Sequence, residues 1–232
     1  MKNLMLKNVN GMGRGLLIAA LLLIGLAVAV PANADTFNLT SCHVTGGCGT
    51  QTVFGTVTLT QVGANVNFDV ELLGGNRFVE TGAADQQLFK FNGTGIVAAD
   101  IVNEATANPL NAVAGGLQGS AGAFNGNGTG DFGFGINCVT AANCNGGSTP
   151  TFTGLTFTVN GATLAELTAA NASGNVFVAD ILIASNGFTG PVDATVCSDC
   201  NLPLVPEPAS LLLLGSGLAG LGFWGRKRRR DV

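Results

Sequence analysis

The sequence predicts a mainly β protein, built as an antiparallel β-sandwich with one short helix. Three observations carry this prediction. Several short segments alternate apolar and polar residues with a period of two, glycine-rich stretches separate these segments, and helical signals are few. Together they favour a sandwich of jelly-roll or immunoglobulin-like type, whose strand order the sequence leaves open.

The first 34 residues have the features of a secretory signal peptide. Three basic residues precede an uncharged run over residues 15–30: Lys2, Lys7 and Arg14. Ala32 and Ala34 then form an A-x-A cleavage pattern, which predicts export through the Sec translocon and cleavage after Ala34. An N-terminal membrane helix is the alternative, and the 16-residue length of the uncharged run disfavours it.

The clearest strand pattern is a β-hairpin over residues 56–72. Val57 and Leu59 alternate with three threonines, and the chain then turns at Gly63-Ala64-Asn65. The second strand alternates apolar with polar residues in the same way: Val66, Phe68, Val70 and Leu72 against Asn67, Asp69 and Glu71. We expect one face of this hairpin to lie in the core and the other to face water.

Further strands are predicted along the rest of the body. Four short segments repeat the alternation: residues 78–81, 89–91, 132–138 and 155–159. Residues 176–183 differ, because every position except Asp180 is apolar, which predicts a strand buried on both faces near the middle of a sheet. A carboxylate in that position needs a partner.

Helical and loop signals are sparse. Thr163 and Glu166 have the spacing of a capping box, which predicts one short helix starting after Thr163. Residues 96–107 permit either a helix or a strand, and we predict a strand followed by a loop. Residues 126–131 predict a hairpin loop, because no lysine follows to meet a phosphate and a single carboxylate, Asp131, is too few for calcium.

Six cysteines lie in the exported body, where an oxidising compartment favours disulfides. They form three local clusters: Cys42 with Cys48, Cys138 with Cys144, and Cys197 with Cys200. We predict pairing within each cluster, although about 15 connectivities are open on the sequence alone. Because His43 is the only histidine and the segment after Cys200 runs into Pro203, we predict no zinc site, no redox motif and no cofactor.

The C-terminal end combines three features. Two prolines flank Glu207 in Val205-Pro206-Glu207-Pro208, and residues 211–224 carry no charge. As a helix that run would be about 21 Å long, short of the roughly 30 Å hydrocarbon core of a membrane. A basic cluster follows: Arg226, Lys227, Arg228, Arg229 and Arg230. It predicts a cytoplasmic stop signal after a marginal transmembrane helix.

This order of features closely resembles the PEP-CTERM sorting signal of exported bacterial proteins. The resemblance implies recognition by an exosortase and removal of the tail near Pro206-Glu207-Pro208. It further implies a transient stay in the inner membrane of a Gram-negative-type bacterium, then release or attachment at the cell surface. An ordinary stop-transfer anchor is the alternative, although such an anchor needs neither the proline motif nor so short an apolar run.

The resulting organisation is a signal peptide (1–34), an extracytoplasmic β-sandwich domain (35–200), a linker (201–204) and a sorting signal (205–232). That signal comprises the motif at 205–210, the transmembrane segment at 211–224 and the basic tail at 226–230. Eight of the ten basic residues lie in the two ends, so residues 35–205 hold two basic and twelve acidic residues, a net charge near −10. This charge argues against nucleic acid as a partner.

We therefore predict a non-enzymatic protein of the cell surface or extracellular matrix, with a structural or adhesive role associated with exopolysaccharide or biofilm. One alternative is a carbohydrate-binding module, which would lack tyrosine and tryptophan for sugar stacking, since Trp224 lies in the tail. The other is a glycoside hydrolase with a carboxylate pair. Its candidates are Asp69, Glu71, Asp85, Asp100 and Asp180.

Overall fold

The computed structural model describes residues 33–80, 85–109, 113–145 and 152–195. Within these ranges the chain forms twelve strands and one α-helix. The strands are β1 (Ala34–Leu39), β2 (Ser41–Cys42), β3 (Gly55–Val62), β4 (Asn65–Leu72), β5 (Arg77–Phe78), β6 (Phe89–Phe91), β7 (Ile101–Pro109), β8 (Leu117–Asn125), β9 (Asp131–Cys138), β10 (Phe152–Val159), β11 (Asn175–Leu182) and β12 (Thr189–Thr195). The helix is α1 (Leu164–Leu167).

The strands form two antiparallel sheets. The first has the order β1-β3-β4-β10-β7, and the second has the order β2-β12-β11-β6-β9-β8, with β5 also paired to β11. Most strands that are paired in a sheet are not consecutive in the chain, so most pairings join distant segments. The prediction of a mainly β protein with antiparallel sheets and one short helix is confirmed.

Phenylalanine side chains fill the space between the two sheets. Phe68 of β4 stacks on Phe157 of β10, with ring centroids 4.3 Å apart. It also meets Phe177 of β11 edge-on at 5.9 Å, and Phe91 of β6 at 5.3 Å, both in the opposite sheet. Phe37 of β1 makes a second edge-on contact with Phe177 at 5.1 Å. These rings join five strands into one core.

The predicted hairpin is confirmed as β3 and β4. The register pairs Val62 with Asn65, so only Gly63 and Ala64 form the turn. Gly63 has φ +61°, a conformation that glycine adopts without a steric penalty and that a two-residue hairpin turn requires at its first position. Along both strands the predicted apolar positions are buried, while Asn67 and Asp69 are exposed.

The strands predicted at 89–91, 132–138 and 155–159 are present as β6, β9 and β10, although Lys90 at the polar position of β6 is buried as well. The strand predicted at 78–81 is confirmed only at its first residue, since β5 ends at Phe78 and residues 78–80 are all buried. Strand β11 is buried along its length up to Ile181 and lies between β12 and β6, as its continuous apolar sequence predicts.

Helix α1 has the predicted capping box, since Glu166 Oε2 accepts hydrogen bonds of 2.8 Å from the backbone N–H and the hydroxyl of Thr163.

The prediction for residues 96–107 is wrong in its order. A 3₁₀ turn at Ala98–Asp100 comes first, and β7 follows it. The carboxylate of Asp100 accepts a hydrogen bond from the N–H of Val97 at 2.8 Å, which stabilises the turn. Strand β7 is hydrogen-bonded to β10, which lies about fifty residues further along the chain. Local sequence does not reveal so distant a partner.

Strand β8 was not among the predicted strands, because its small residues hide the alternation. Gly119 explains why they are small: a Cβ there would lie 2.6 Å from the side chain of Ile101. The prediction of a hairpin loop at residues 126–131 holds, since these residues join β8 to β9.

Phe68 and Asp69 provide a matched test of this core, since they are neighbours on opposite faces of β4. Phe68→Ala should lower the free energy of unfolding by about 3–5 kcal/mol, because the ring packs against both sheets. Asp69→Ala should change it by no more than about 0.5 kcal/mol. Urea denaturation measures both values, and equal losses from the two variants would contradict the assigned faces.

Candidate functional site

A buried charged cluster lies on the second sheet, on the face opposite the phenylalanine core. Lys90 of β6 pairs in register with Val178, which places Asp180 diagonally opposite on the same face of β11. Lys90 Nζ lies 3.2 Å from Asp180 Oδ2, and both side chains are 1% exposed. The expected partner of Asp180 is therefore Lys90, which the alternation of 89–91 places on the polar side of its strand.

The connection between β5 and β6 supplies the rest of this cluster. Asp85 Oδ2 lies 3.5 Å from Lys90 Nζ, and Nζ donates a hydrogen bond to the carbonyl oxygen of Gln87 at 3.4 Å. The side chain of Gln87 donates to the carbonyl oxygen of Asp85 at 2.8 Å and accepts from Ser120 of β8 at 2.8 Å. These bonds fix the connection against the sheet and close the cluster to water.

Glu80 brings a third carboxylate to the cluster. Its Oε1 accepts a hydrogen bond from the N–H of Cys138 at 2.9 Å, whereas Oε2 is buried and has no hydrogen-bond partner among the described residues. Burial raises the pKa of Glu80, the Cys138 hydrogen bond lowers it in part, and repulsion by Asp180 and Asp85 raises it further. The protonated carboxyl is thus favoured here relative to an exposed glutamate.

A second polar cluster lies where β2 pairs with β12. His43 Nε2 is 2.7 Å from Asp193 Oδ2 and 3.1 Å from the hydroxyl of Ser41. A Ser-His-Asp relay needs the carboxylate and the hydroxyl on opposite ring nitrogens. Here both groups meet the same nitrogen, so the arrangement lacks the geometry of a catalytic triad.

Asp193 is the residue of this cluster that the sequence analysis missed, because β12 lies 150 residues away in the chain from His43. It is buried, whereas the side chain of His43 is one-third exposed. Burial raises the pKa of Asp193, and the charge of His43 and hydrogen bonds from His43 and Ser41 lower it in part.

The candidate carboxylates for a hydrolase are dispersed, with one exception. Asp69 is exposed on the outer face of β4, and Asp100 caps a turn. Asp85 and Asp180 do come together, but around Lys90 and away from solvent. Both of these carboxylates are buried.

The hairpin turn at 126–130 uses its polar groups internally. The carbonyl oxygen of Thr129 accepts hydrogen bonds from the side-chain amides of Asn171 and Asn175, each at 2.8 Å. The hydroxyl of Thr129 donates to the carbonyl oxygen of Gly126, and Asp131 Oδ1 accepts from Asn125. These contacts engage both oxygens of Thr129 and one carboxylate oxygen of Asp131, which a calcium loop would direct at an ion.

Two of the three predicted disulfides are present, Cys42–Cys48 and Cys138–Cys144. The carboxylate of Glu80 lies close to both sulfurs of the second bridge, an arrangement with the composition of a metal site. Because those sulfurs are bonded to each other, they are not thiolates and do not serve as zinc ligands. The predicted pair Cys197 and Cys200 lies outside the described residues.

The predicted processing residues flank the described body. Ala34, the last residue before the predicted cleavage, is exposed and begins β1, while Ala32 lies outside the described residues. The motif Val205-Pro206-Glu207-Pro208, the segment 211–224 and the basic cluster 226–230 also lie outside them. Among the described residues, no helix has the length and apolar character needed to span a membrane.

The comparisons with known proteins bear on the tail. A family model described as the PEP-CTERM protein-sorting motif matches residues 204–229. No curated protein and no solved structure matches the chain. The match covers the predicted sorting motif, the whole apolar segment at 211–224 and four of the five residues of the basic cluster.

The chain is therefore an exported protein that is anchored in a membrane before processing. It carries a PEP-CTERM sorting motif and is sorted by an exosortase. The family model covers no residue of the body, which ends at residue 200, so the role of the β-sandwich has to be inferred from its own residues.

The pKa shift of Asp193 predicts a pH dependence of stability. Because its folded pKa is raised above 3.8, its contribution to stability is present below that pH and is lost as the pH rises through the folded value. Asp193→Asn removes this loss, so its stability relative to wild type should increase with pH. Urea midpoints measured from about pH 3 to about pH 6 would reveal the trend.

Glu166→Gln is the matched control with the opposite sign. Hydrogen bonds from Thr163 lower the pKa of Glu166 below 4.5, so its contribution is present above that pH and is lost as the pH falls. The stability of this variant relative to wild type should decrease as the pH rises. Two variants whose midpoints run parallel to wild type at all pH values would contradict both assignments.

Proposed function

We propose that the processed protein is a structural or adhesive component of the cell surface or of the extracellular polysaccharide matrix. The observation that carries the proposal is the sorting motif at residues 204–229, which delivers the body outside the cytoplasm. The two disulfides support it, because they suit a domain that works in an oxidising compartment.

The outer face of the first sheet supports an adhesive role. Polar side chains occupy three of the four outward positions of β3 and the central outward positions of β1, β4 and β10: Thr36, Asn38, Thr56, Thr58, Thr60, Asn67, Asp69, Glu71, Thr156 and Thr158. We call this set the threonine face. The register places Thr58 beside Thr36, Asp69 beside Thr58, and Thr156 beside Asp69, so one row crosses four strands.

Hydrogen bonds order the side chains within the threonine face. The hydroxyls of Thr36 and Thr58 are 3.2 Å apart, and the hydroxyl of Thr158 donates to Asn67 Oδ1 at 3.0 Å. Hydroxyl and amide groups held on a regular sheet match the hydroxyls of a glycan, which both donate and accept hydrogen bonds. Each contact is weak, so affinity would come from many contacts along a polymer.

The charge of the body narrows the choice of polymer. The threonine face carries Asp69 and Glu71 and no basic residue. A strongly anionic polysaccharide would be repelled, whereas a neutral one would not. The same face supports the second candidate function, a carbohydrate-binding module, and the lack of an aromatic stacking platform there favours weak, repeated attachment over tight binding to one sugar.

Processing of the tail is the first test of this proposal. Protein recovered from the surface or the medium should end near Pro206-Glu207-Pro208 and should lack residues 211–232, as determined by intact mass. Glu207→Gln should leave an uncut form in the inner membrane. The motif would lose its charge while the apolar segment and the basic cluster still hold the chain.

Deletion of residues 226–230 is the control, since it removes the stop signal and leaves the motif intact. This variant should pass through the membrane with its apolar segment still attached. Full-length protein as the sole mature form in a strain that has an exosortase would contradict the proposed processing.

Attachment to polysaccharide is the second test. In a pull-down with the producer's own exopolysaccharide, Thr58→Val combined with Thr156→Val should reduce the bound fraction several-fold. Valine keeps the shape and strand propensity of threonine but removes the hydroxyl. Thr195→Val, at an exposed position of the other sheet, should bind like wild type. Equal retention of all three proteins would indicate a matrix component that does not use the threonine face.

A further inference from the structure

We propose that Lys90 and Asp180 become joined by an intramolecular isopeptide bond between Nζ of the lysine and Cγ of the aspartate. The bond would link β6 to β11 across the outer face of the second sheet. This modification is independent of the proposed function, because it concerns the body alone and requires neither the sorting tail nor a polysaccharide.

The distance between the two groups is the first argument. Nζ lies 3.2 Å from a carboxylate oxygen of Asp180, so the amine is held in hydrogen-bond contact with the carboxyl group that it would attack. The two side chains come from paired strands in the middle of a sheet, so their backbones hold them in place. Such fixed geometry replaces the entropy cost of bringing an amine and a carboxyl together.

Burial is the second argument. Both side chains are 1% exposed, and an ammonium and a carboxylate removed from water are costly unless they neutralise each other. Transfer of a proton from the ammonium gives a neutral amine and a neutral carboxylic acid, which are the two reactive forms. Exclusion of bulk water also protects the product from hydrolysis.

The neighbouring carboxylates are the third argument. Asp85 Oδ2 is 3.5 Å from Lys90 Nζ, and among the described residues neither oxygen of Asp85 has a hydrogen-bond partner. Two carboxylates thus flank one ammonium, while the other cation of the body, Arg77, is exposed. A simple ion pair would need only one of these carboxylates, whereas a condensation needs one to react and another to carry protons.

The reaction balances without any external reagent. The neutral amine of Lys90 attacks Cγ of protonated Asp180, and Asp85 accepts the proton that leaves the nitrogen. Asp85 returns that proton to the hydroxyl of the tetrahedral intermediate, the C–O bond breaks and one water molecule is released. The product is a secondary amide, with no change in oxidation state and no change in net charge.

The product would also satisfy groups that are unpaired in the cluster. The amide N–H would offer a donor to Asp85, whose two carboxylate oxygens are buried without a hydrogen-bond partner among the described residues.

Trypsin digestion tests the bond, because Arg77 and Lys90 are the only basic residues between positions 35 and 205. The protein, taken uncut from the membrane or processed from outside it, is denatured, reduced, alkylated and digested. A free Lys90 is cleaved and releases the peptide 78–90. Linked Lys90 resists cleavage, so this peptide should be missing, and the intact mass should be lower than the sequence mass by one water molecule.

Matched variants separate the bond from an ion pair. Lys90→Arg keeps the charge and the trypsin site but cannot condense, so the peptide should be released and no water should be lost. Asp180→Ala should release it as well, whereas Asp69→Ala should behave like wild type. Asp85→Asn should lower the linked fraction in newly exported protein.

The mass of the wild-type protein by itself decides whether the bond forms, even if a variant does not fold. A wild-type mass equal to the sequence mass would overturn the proposal, whatever the digest shows. Loss of water that persists in Asp180→Ala would overturn the assignment of Asp180 as the partner. Neither outcome depends on binding to polysaccharide or on cleavage of the tail.

Discussion

The contact between the two sheets is the constraint on which the rest of the structure depends. It is made largely of phenylalanine, which has no polar group to satisfy, so the interior places no hydrogen-bonding demand on the strands beyond their own ladders. Phe68 contacts rings from both sheets, and its neighbours in β4 therefore point outward in a fixed register. That register in turn aligns the threonines of adjacent strands.

The packing of the two sheets also explains why the β5–β6 connection covers the outer face of the second sheet at Lys90. Phe89 and Phe91 point into the core, so Lys90 between them must point out. It is nevertheless buried, because the connection between β5 and β6 lies over it and is tied down by Gln87. The connection brings Asp85 to the lysine, and Asp180 of β11 supplies the second carboxylate. The sheet thus has an apolar face and a charged face, and water reaches neither of them at this point.

Sequence reasoning succeeded where the signal is local. The β3–β4 hairpin, the capping box of α1 and the two short-range disulfides each depend on residues close together in the chain, and each was predicted. The burial of β11 was predicted because a run of apolar residues has only one stable environment in an exported body. Even the need of Asp180 for a partner followed from burial, although the identity of that partner did not.

Sequence reasoning failed where pairing is distant or where glycine replaces the alternating side chains. The middle of strand β8 consists of small residues, and one of them, Gly119, lies close to Ile101. Its sequence therefore shows no alternation of large apolar and polar residues. The pair of His43 and Asp193 joins opposite ends of the body, and the cluster around Lys90 joins three strands and a connection. These contacts depend on the order of the strands in the sheet. The alternation of residues within a single strand contains no information on that order.

Export ties these features together. A chain that crosses the membrane unfolded must acquire its cross-links afterwards, outside the reducing cytoplasm and without ATP-dependent assistance. Disulfides between residues six positions apart close small loops and add little constraint to the unfolded chain beyond their own segment. Lys90 and Asp180 are 90 positions apart, so a bond between them would constrain a far larger part of the body. It would form only after β6 and β11 have paired, and would thus fix the fold that the sorting tail delivers.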